Sequence, residues 1–176
     1  MDKKIDQHFE KYIKLRTTID ILSEELTIEH LKNMQCKKGC DMCCIDYNIF
    51  PIEFYSILKN LKEKRIKPVS ANLEKKEVCI FLIDHACSIY VQRPIICRTH
   101  GLPLLFVNEI SEWELSTCEL NFTEYNFEKF TTENTLPLDK YNSKLFMLNK
   151  EFIADFKNKK YTKTDLIPLK QILNYL

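Results

Sequence analysis

The chain has 176 residues, of which 45% are hydrophobic, and a formal net charge of +1. This composition excludes a disordered chain, and the near-neutral charge excludes a long-range field that would recruit nucleic acid or an anionic membrane. A chain of this length is expected to form one domain, residues 1–176, and to bury roughly 70% of its unfolded surface. It therefore needs no cross-links merely to fold.

The N-terminal residues contain no apolar stretch like that of a secretory signal, and no apolar run approaches the ~20 residues of a membrane span. We therefore expect a cytoplasmic protein with neither a membrane nor a nucleic-acid partner. In that reducing compartment, the eight cysteines indicate metal or redox chemistry in preference to disulfides.

The first half of the chain shows helical periodicity on either side of a cysteine cluster. Apolar residues recur at intervals of three or four over residues 2–26, and Thr27 is expected to cap a short second helix. After the cluster, Pro51 is well placed as the first residue of a helix that runs to about residue 65. Pro68 is expected to end that helix.

The second half begins with short β-rich segments and ends with helices. Residues 78–83 and 86–91 are predicted to form a hairpin or irregular loops. Residues 104–107 and 112–117 are predicted to form a second hairpin. Trp113 alternates with Leu115, so both are expected to face the core. Helical spacing returns over residues 139–156, and a last short helix is predicted over residues 168–175. The predicted fold class is α+β, mainly α, with terminal helices around a cysteine-rich, metal-centred middle that contains short β-hairpins.

The most informative stretch is residues 36–44, which carries four cysteines as C-x3-C-x2-C-C. Thiolates are soft ligands, and a C-x2-C turn lets two sulfurs converge on one ion at about 2.3 Å. An isolated cysteine is more often a small buried apolar residue than a ligand, and this alternative applies above all to Cys118. The candidate metal ligands are Cys36, Cys40, Cys43, Cys44, Cys79, Cys87, Cys97 and Cys118.

The adjacent pair Cys43 and Cys44 bears on how many metals are bound. Neighbouring side chains point to opposite sides of an extended chain and diverge by about 100° in a helix. Two such thiols are therefore not expected to serve one ion, which favours a multinuclear or clustered centre. Two tetrahedral zinc sites, a bridged dinuclear site and one four-iron cluster with spare thiols all remain open.

Charged residues and a glycine flank these cysteines. Arg93 and Arg98 lie on either side of Cys97, where guanidinium groups can donate to thiolate sulfurs and offset their charge. Arg93 has the alternative of capping the end of the hairpin. Lys37 and Lys38 can lower thiol pKa values. Gly39, one of only two glycines, allows positive φ inside the cluster.

The four histidines divide into two groups. His85 and His100 lie close to cysteines in the sequence, so either can be a nitrogen ligand or a hydrogen-bond donor to the centre. His8 and His30 lie on the predicted N-terminal helices and are expected at the surface.

These residues together resemble a known family. The four-cysteine cluster, followed by Cys79-Ile80-Phe81-Leu82, Cys87-Ser88-Ile89-Tyr90 and Arg93-Pro94-Ile95-Ile96-Cys97-Arg98, is similar to the CxxCxxCC family of YkgJ-like bacterial proteins. The resemblance covers residues 36–98 and implies zinc or iron chelation by the seven cysteines of the motif. It departs from the family pattern in a first gap of three residues and in the residues that follow Cys97.

Three classes of function fit this reading. The first is a non-catalytic protein that holds zinc or iron through cysteine thiolates, and the second is an iron–sulfur protein with a redox, sensing or catalytic role. The third, a metalloenzyme, is less favoured because the chain lacks G-x-G-x-x-G, the P-loop, H-E-x-x-H and the nucleophile elbow. The sequence does not indicate a protein partner, a substrate or a pathway.

Overall fold

Three helices form the framework of the fold, which is α+β and mainly α as predicted. The structure, a computed structural model, describes residues 3–67, 78–157 and 160–176. Helices α1 (Lys3–Glu29), α2 (Pro51–Glu63) and α4 (Leu138–Asp155) pack against one another, and the short α3 (Ile96–Thr99) contacts α1. None of the described helices combines the length and the apolar composition that crossing a membrane requires.

Helix α1 is longer than predicted at its C-terminal end. Tyr12 and Ile19 are fully buried on one face, in agreement with the predicted apolar stripe. Thr27 does not cap a second helix, because its hydroxyl donates to the carbonyl of Ser23 at 2.6 Å and is satisfied within α1. Only a single turn of 3-10 helix, Leu31–Asn33, follows.

Helix α2 begins at Pro51, as predicted, and joins the two parts of the core. Ile52 packs in one apolar cluster with residues of α1 and α4, whereas Phe54, Ile57 and Leu61 pack in a second cluster with residues of the C-terminal segment. The helix ends at Glu63, two residues before the predicted end, and the predicted stop at Pro68 lies outside the described residues. The position of α2 between the clusters makes it the central element of the fold.

Short strands connect the helices in three small sheets. Strand β1 (Asn48–Ile49) pairs antiparallel with β7 (Ile167–Pro168), and β2 (Leu82–Ile83) with β3 (Ala86–Cys87). Strand β4 (Leu104–Val107) lies between β5 (Trp113–Ser116), to which it is antiparallel, and β6 (Leu136–Pro137), to which it is parallel. The sequence thus predicted both hairpins, although the strands of the first are shorter than the apolar runs.

Trp113 does not face the core as predicted and is 69% exposed, whereas Leu115 is half-buried. Trp113 pairs with Val107 at the turn end of the hairpin, and Val107 is itself exposed. Alternation along the strand correctly places both predicted side chains on one face. It does not reveal how far along the strand the core extends.

The two helices predicted in the second half of the chain both lie where they were expected. Helix α4 carries Tyr141, Leu145 and Phe152 on its buried face, and Phe156 follows its last residue. The predicted C-terminal helix is a 3-10 helix, Leu169–Tyr175, and Pro168 belongs to β7 instead of its first turn. The amide of Leu169 donates to the carbonyl of Tyr47 at 2.9 Å, which ties this segment to β1.

The prediction that His8 and His30 lie at the surface is wrong, because both are buried. His8 Nε2 lies 2.9 Å from a carboxylate oxygen of Asp155 in α4. His30 is 2% exposed, and its Nε2 donates to the carbonyl of Asn134 at 2.7 Å. Phe122, Tyr125 and Phe130 surround its ring. Residues distant in the sequence therefore cover His8 in α1 and His30 just after it, which local periodicity cannot predict.

Candidate metal centre

The clustered cysteines lie in a loop that makes two consecutive turns before β1. The amide of Cys40 donates to the carbonyl of Lys37 at 2.9 Å, and the amide of Cys44 donates to the carbonyl of Asp41 at 2.8 Å. Gly39 adopts a φ of +96°, a conformation that glycine reaches without strain. The loop is therefore shaped by turns and not by a regular element.

The neighbouring thiols of Cys43 and Cys44 do not diverge as predicted but hydrogen-bond to each other. The physical reason is the turn between them: Ile45 donates back to the carbonyl of Cys43 at 3.0 Å, so the backbone is neither extended nor helical. The bond from Cys44 lowers the pKa of Cys43 to about 6 and raises that of Cys44. Adjacency therefore does not prevent these two thiols from bordering the same space.

The hairpin β2–β3 brings Cys79 and Cys87 to the cluster. The amide of Cys79 donates to the carbonyl of Cys44 at 3.0 Å, and Cys87 lies opposite Leu82 in the hairpin register. Both cysteines pack partly against the second apolar cluster, and burial raises the pKa of each thiol. These two thiols therefore face the core side of the site.

The tip of this hairpin is attached to the cysteine loop. Asp84 and His85 form its two-residue turn with φ of +46° and +59°, the backbone signs of a type I′ turn. His85 Nδ1 lies 2.8 Å from a carboxylate oxygen of Asp41, although the ring is largely exposed. In this arrangement His85 links two segments through Asp41.

The buried carboxylate of Glu53 anchors the segment that carries Cys97. The amide of Cys97 donates to the carbonyl of Pro94 at 3.2 Å, while the amide of Ile95 donates to Glu53 Oε1 at 3.0 Å. The hydroxyl of Tyr12 donates to the same oxygen at 3.1 Å. Glu53 is 3% exposed, and burial raises its pKa. Helices α1 and α2 thus fix the segment that carries Cys97, whose pKa burial and the neighbouring thiols raise to about 12.

Arg98 does not have its predicted role of donating to the thiolates. It binds both carboxylate oxygens of Asp20 in α1 at 2.5 and 2.7 Å. Its remaining donors reach the carbonyls of Arg93 at 2.9 Å and Val91 at 2.7 Å. Arg98 therefore attaches the Cys97 segment to α1.

Arg93 is the arginine that acts on the thiols. Its guanidinium lies 3.7 Å from the ring centroid of Tyr90. It adds to the lowering of the Cys43 pKa that the bond from Cys44 causes, and it opposes the burial that raises the pKa of Cys87. Among the described residues, its buried Nε has no hydrogen-bond partner. Its Nη1 and its backbone amide each lie 3.5 Å from the carbonyl of Tyr90, and these weak contacts correspond to the predicted hairpin cap.

Seven of the eight predicted ligands line one cavity of about 630 Å³, which Arg93, Lys37 and Lys38 also line. The seven are Cys36, Cys40, Cys43, Cys44, Cys79, Cys87 and Cys97. Cys118 is not among the described residues that line the cavity. Burial raises the pKa of Cys36, and Cys118 is close enough to that thiol to add to the rise. The turn loop, the hairpin and the α3 segment thus contribute thiols to one space.

Asn121, which the sequence did not single out, and Gly101, the second of the two glycines, border the sulfur of Cys36. Asn121 is 3% exposed, and its Nδ2 lies 3.3 Å from the sulfur of Cys36 and 2.7 Å from the carbonyl of Gly101. Gly101 has a φ of +87°, and a Cβ there would collide with the same sulfur. The only sequence signal for this contact is the position of Asn121 three residues after Cys118.

His100 and Tyr47 form a polar and aromatic wall of the site. Their rings lie 5.2 Å apart, and the Tyr47 hydroxyl donates to the carbonyl of Cys43 at 3.3 Å. Burial lowers the pKa of His100, so its imidazole is held neutral. Its buried Nε2 has no hydrogen-bond partner among the described residues. Burial and the nearby thiols raise the pKa of Tyr47 to about 12.

The donors at this cavity fit a thiophilic metal in chemical type. Sulfur is the preferred donor for zinc and for iron–sulfur clusters, and a neutral imidazole nitrogen suits zinc or iron. Within residues 3–67, 78–157 and 160–176, however, no three side chains of His, Cys, Asp or Glu converge closely enough to hold an ion. The ligand role of each cysteine accordingly stays a prediction.

Comparison with known families agrees with the motif-based resemblance. Residues 35–119 match the CxxCxxCC family, whose description is "Putative zinc- or iron-chelating domain". The match extends past residue 98, so all eight cysteines lie within it. No curated protein and no solved structure matches the chain significantly.

Proposed function

Because residues 35–119 of this chain match the CxxCxxCC family, we propose that the protein chelates zinc or iron through cysteine thiolates. The proposed ligands come from Cys36, Cys40, Cys43, Cys44, Cys79, Cys87, Cys97 and Cys118. The observation that carries the proposal is that seven of these thiols border a single cavity although they belong to three separate segments. All eight cysteines lie in the described part of the chain and are free there, and metal binding is the simplest chemical use of such a gathering of thiols.

The surroundings of the thiols support the uptake of a cation. Burial raises the pKa of Cys79, Cys87 and Cys97, which favours the protonated form of these three thiols near neutral pH. A thiol must lose its proton to bind a metal, so binding releases protons and tightens as pH rises. Arg93 offsets part of the negative charge that four or more thiolates create.

The number of thiols favours more than one metal ion or a cluster. One tetrahedral zinc ion takes four ligands, whereas seven thiols border the cavity. Two mononuclear sites, a bridged dinuclear site and an iron–sulfur cluster each use this surplus. The iron–sulfur alternative, with a redox, sensing or catalytic role, has the same support, since Cys97 and its buried neighbours provide a partly dehydrated pocket.

The experiment that decides between these metals is analysis of the protein purified without oxygen. Colourless protein with about one or two equivalents of zinc excludes the iron–sulfur alternative. Brown protein that contains iron and acid-labile sulfide excludes the zinc alternative. Protein that carries no metal, takes up neither zinc nor iron, and is fully stable refutes the proposal as a whole.

A paired substitution tests whether the metal stabilises the fold. Cys43 and Met42 are adjacent, exposed residues of the same turn, but only Cys43 contributes a thiol. We expect Cys43→Ser to lose metal and the melting-temperature increase that metal gives the parent, because binding energy at a structural site is folding energy. Met42→Ser should retain both. Equal melting of the two variants with and without zinc would show that Cys43 is not a structural ligand.

A further inference from the structure

Asn121 lies two residues beyond the end of the family match and hydrogen-bonds to two backbone groups within it. Its Oδ1 accepts from the amide of Gln35 at 2.7 Å, and its Nδ2 donates to the carbonyl of Gly101 at 2.7 Å. These two partners determine which way the amide points, because a flipped side chain would oppose donor to donor and acceptor to acceptor. The second hydrogen on Nδ2 is therefore available to Cys36, whose sulfur lies 3.3 Å away.

Cys36 depends on this contact because little else restrains its side chain. The residue is exposed and follows the short 3-10 helix, so no regular element fixes its rotamer. On its inner side, Gly101 leaves room for the sulfur that any Cβ would fill. Asn121 and Gly101 thus form a slot for the Cys36 sulfur. The amide of Asn121 donates to the sulfur, and the missing side chain of Gly101 leaves space for it.

We propose that Asn121 is a positioning residue for the metal centre: it orients Cys36 toward the metal and donates a hydrogen bond to the thiolate sulfur. This inference rests on the proposed chelation of zinc or iron. An N–H donor to a ligand sulfur stabilises the thiolate and disperses its charge, and such outer partners contribute substantially to metal affinity.

A second buried asparagine provides a matched control. Asn149 is fully buried, and its Oδ1 accepts from the amide of Ile52 at 3.2 Å while its Nδ2 donates to the carbonyl of Lys163 at 3.0 Å. It therefore bridges two backbone groups as Asn121 does, but none of its hydrogen bonds within the described part of the chain involves a thiol. The Asn→Asp substitution at either position preserves size, removes the amide donor and introduces a buried carboxylate, so the structural damage is comparable.

The variants separate positioning from simple support of the fold. We expect Asn121→Asp to weaken zinc binding by about 10- to 100-fold in competition with a chelator. Asn149→Asp should bind zinc as tightly as the parent even though it melts at a lower temperature. Equal zinc affinity of Asn121→Asp and the parent, or an equal loss in both variants, would overturn the assignment.

A measurement on the unmodified protein guards against a variant that fails to fold. In protein loaded with ¹¹³Cd, a hydrogen bond from Asn121 to a metal-bound sulfur should appear as a scalar coupling between the cadmium nucleus and a side-chain amide proton of Asn121. Cadmium bound without that coupling refutes the positioning role and leaves the proposed chelation intact. Protein that binds neither cadmium nor zinc refutes both.

Discussion

The two glycines of this chain allow the slot around Cys36 to be tested by substitution with alanine. Gly39 and Gly101 have similar backbone conformations, with φ of +96° and +87°. A Cβ at Gly39 meets no atom within 4 Å, whereas a Cβ at Gly101 collides with the Cys36 sulfur and lies 3.3 Å from Asn121 Nδ2. The two alanine variants are therefore expected to share the backbone strain, but only alanine at position 101 meets a thiol.

The expected magnitudes follow from these two contributions. A non-glycine residue in this backbone region costs about 1–3 kcal/mol, less about 0.4–1 kcal/mol gained because alanine restricts the unfolded chain. Gly39→Ala should therefore lose about 1–2 kcal/mol of stability. Gly101→Ala should lose a further 1–3 kcal/mol or so, because the added methyl must displace the sulfur or its neighbours.

Urea unfolding of metal-free protein measures the stability difference, and chelator competition measures the zinc affinity of the folded variants. We expect only Gly101→Ala to bind zinc more weakly, since only it moves a proposed ligand. The double variant Cys36→Ala with Gly101→Ala should recover part of the loss, with a coupling free energy of about 0.5–3 kcal/mol.

Equal losses of stability and of zinc affinity in both glycine variants would contradict these expectations. So would a double variant in which removal of the Cys36 sulfur brings no recovery. In either case the close approach of Gly101 to Cys36 would not constrain the site.

Two further predictions concern the supports of the Cys97 segment. Burial raises the folded-state pKa of Glu53 above its ordinary value of 4.5, so the folded state binds the extra proton and stability should fall as pH rises from about 4.5 through the raised pKa. Glu53→Gln should flatten that part of the pH–stability curve measured by urea unfolding, and an unchanged slope would mean that Glu53 is not its source. Arg98→Lys replaces three donor nitrogens by one amine, which cannot contact Asp20 as Nη1 does and also reach both carbonyls, so we expect a loss of about 2 kcal/mol. A lysine variant as stable as the parent would contradict the role assigned to the guanidinium.

Features that depend on local chemistry were predictable from the sequence. The start of α2 at Pro51 follows from the fixed φ of proline, and α4 follows from apolar spacing over its own length. The cysteine motifs indicated correctly which segments meet, because spacing of this kind has few uses other than a shared site. The positive φ of Gly39 belongs to the same class, since it depends on the residue itself.

Features that depend on distant partners were not predictable in this way. Thr27 has the composition of a cap, but the carbonyl of Ser23 satisfies its hydroxyl within the helix. His30 is buried only because an aromatic segment some hundred residues later covers it. The pairing of Cys43 with Cys44 required the geometry of a turn, and periodicity arguments consider only helix and strand. Asn121 carries no motif, and its contact with Cys36 spans 85 positions.

The hydrogen bonds that join Asn33 and Gln35 to Phe122 and Asn121 have a consequence for biosynthesis. The amide of Phe122 donates to the carbonyl of Asn33 at 2.7 Å, beside the contact from Gln35 to Asn121, so the chain from 33 to 122 returns to its own starting point. A chain emerges from the ribosome with its N-terminal part first. All eight cysteines therefore precede the asparagine that closes this ring, so the contact between Asn121 and Cys36 forms only after every thiol of the site has been synthesised.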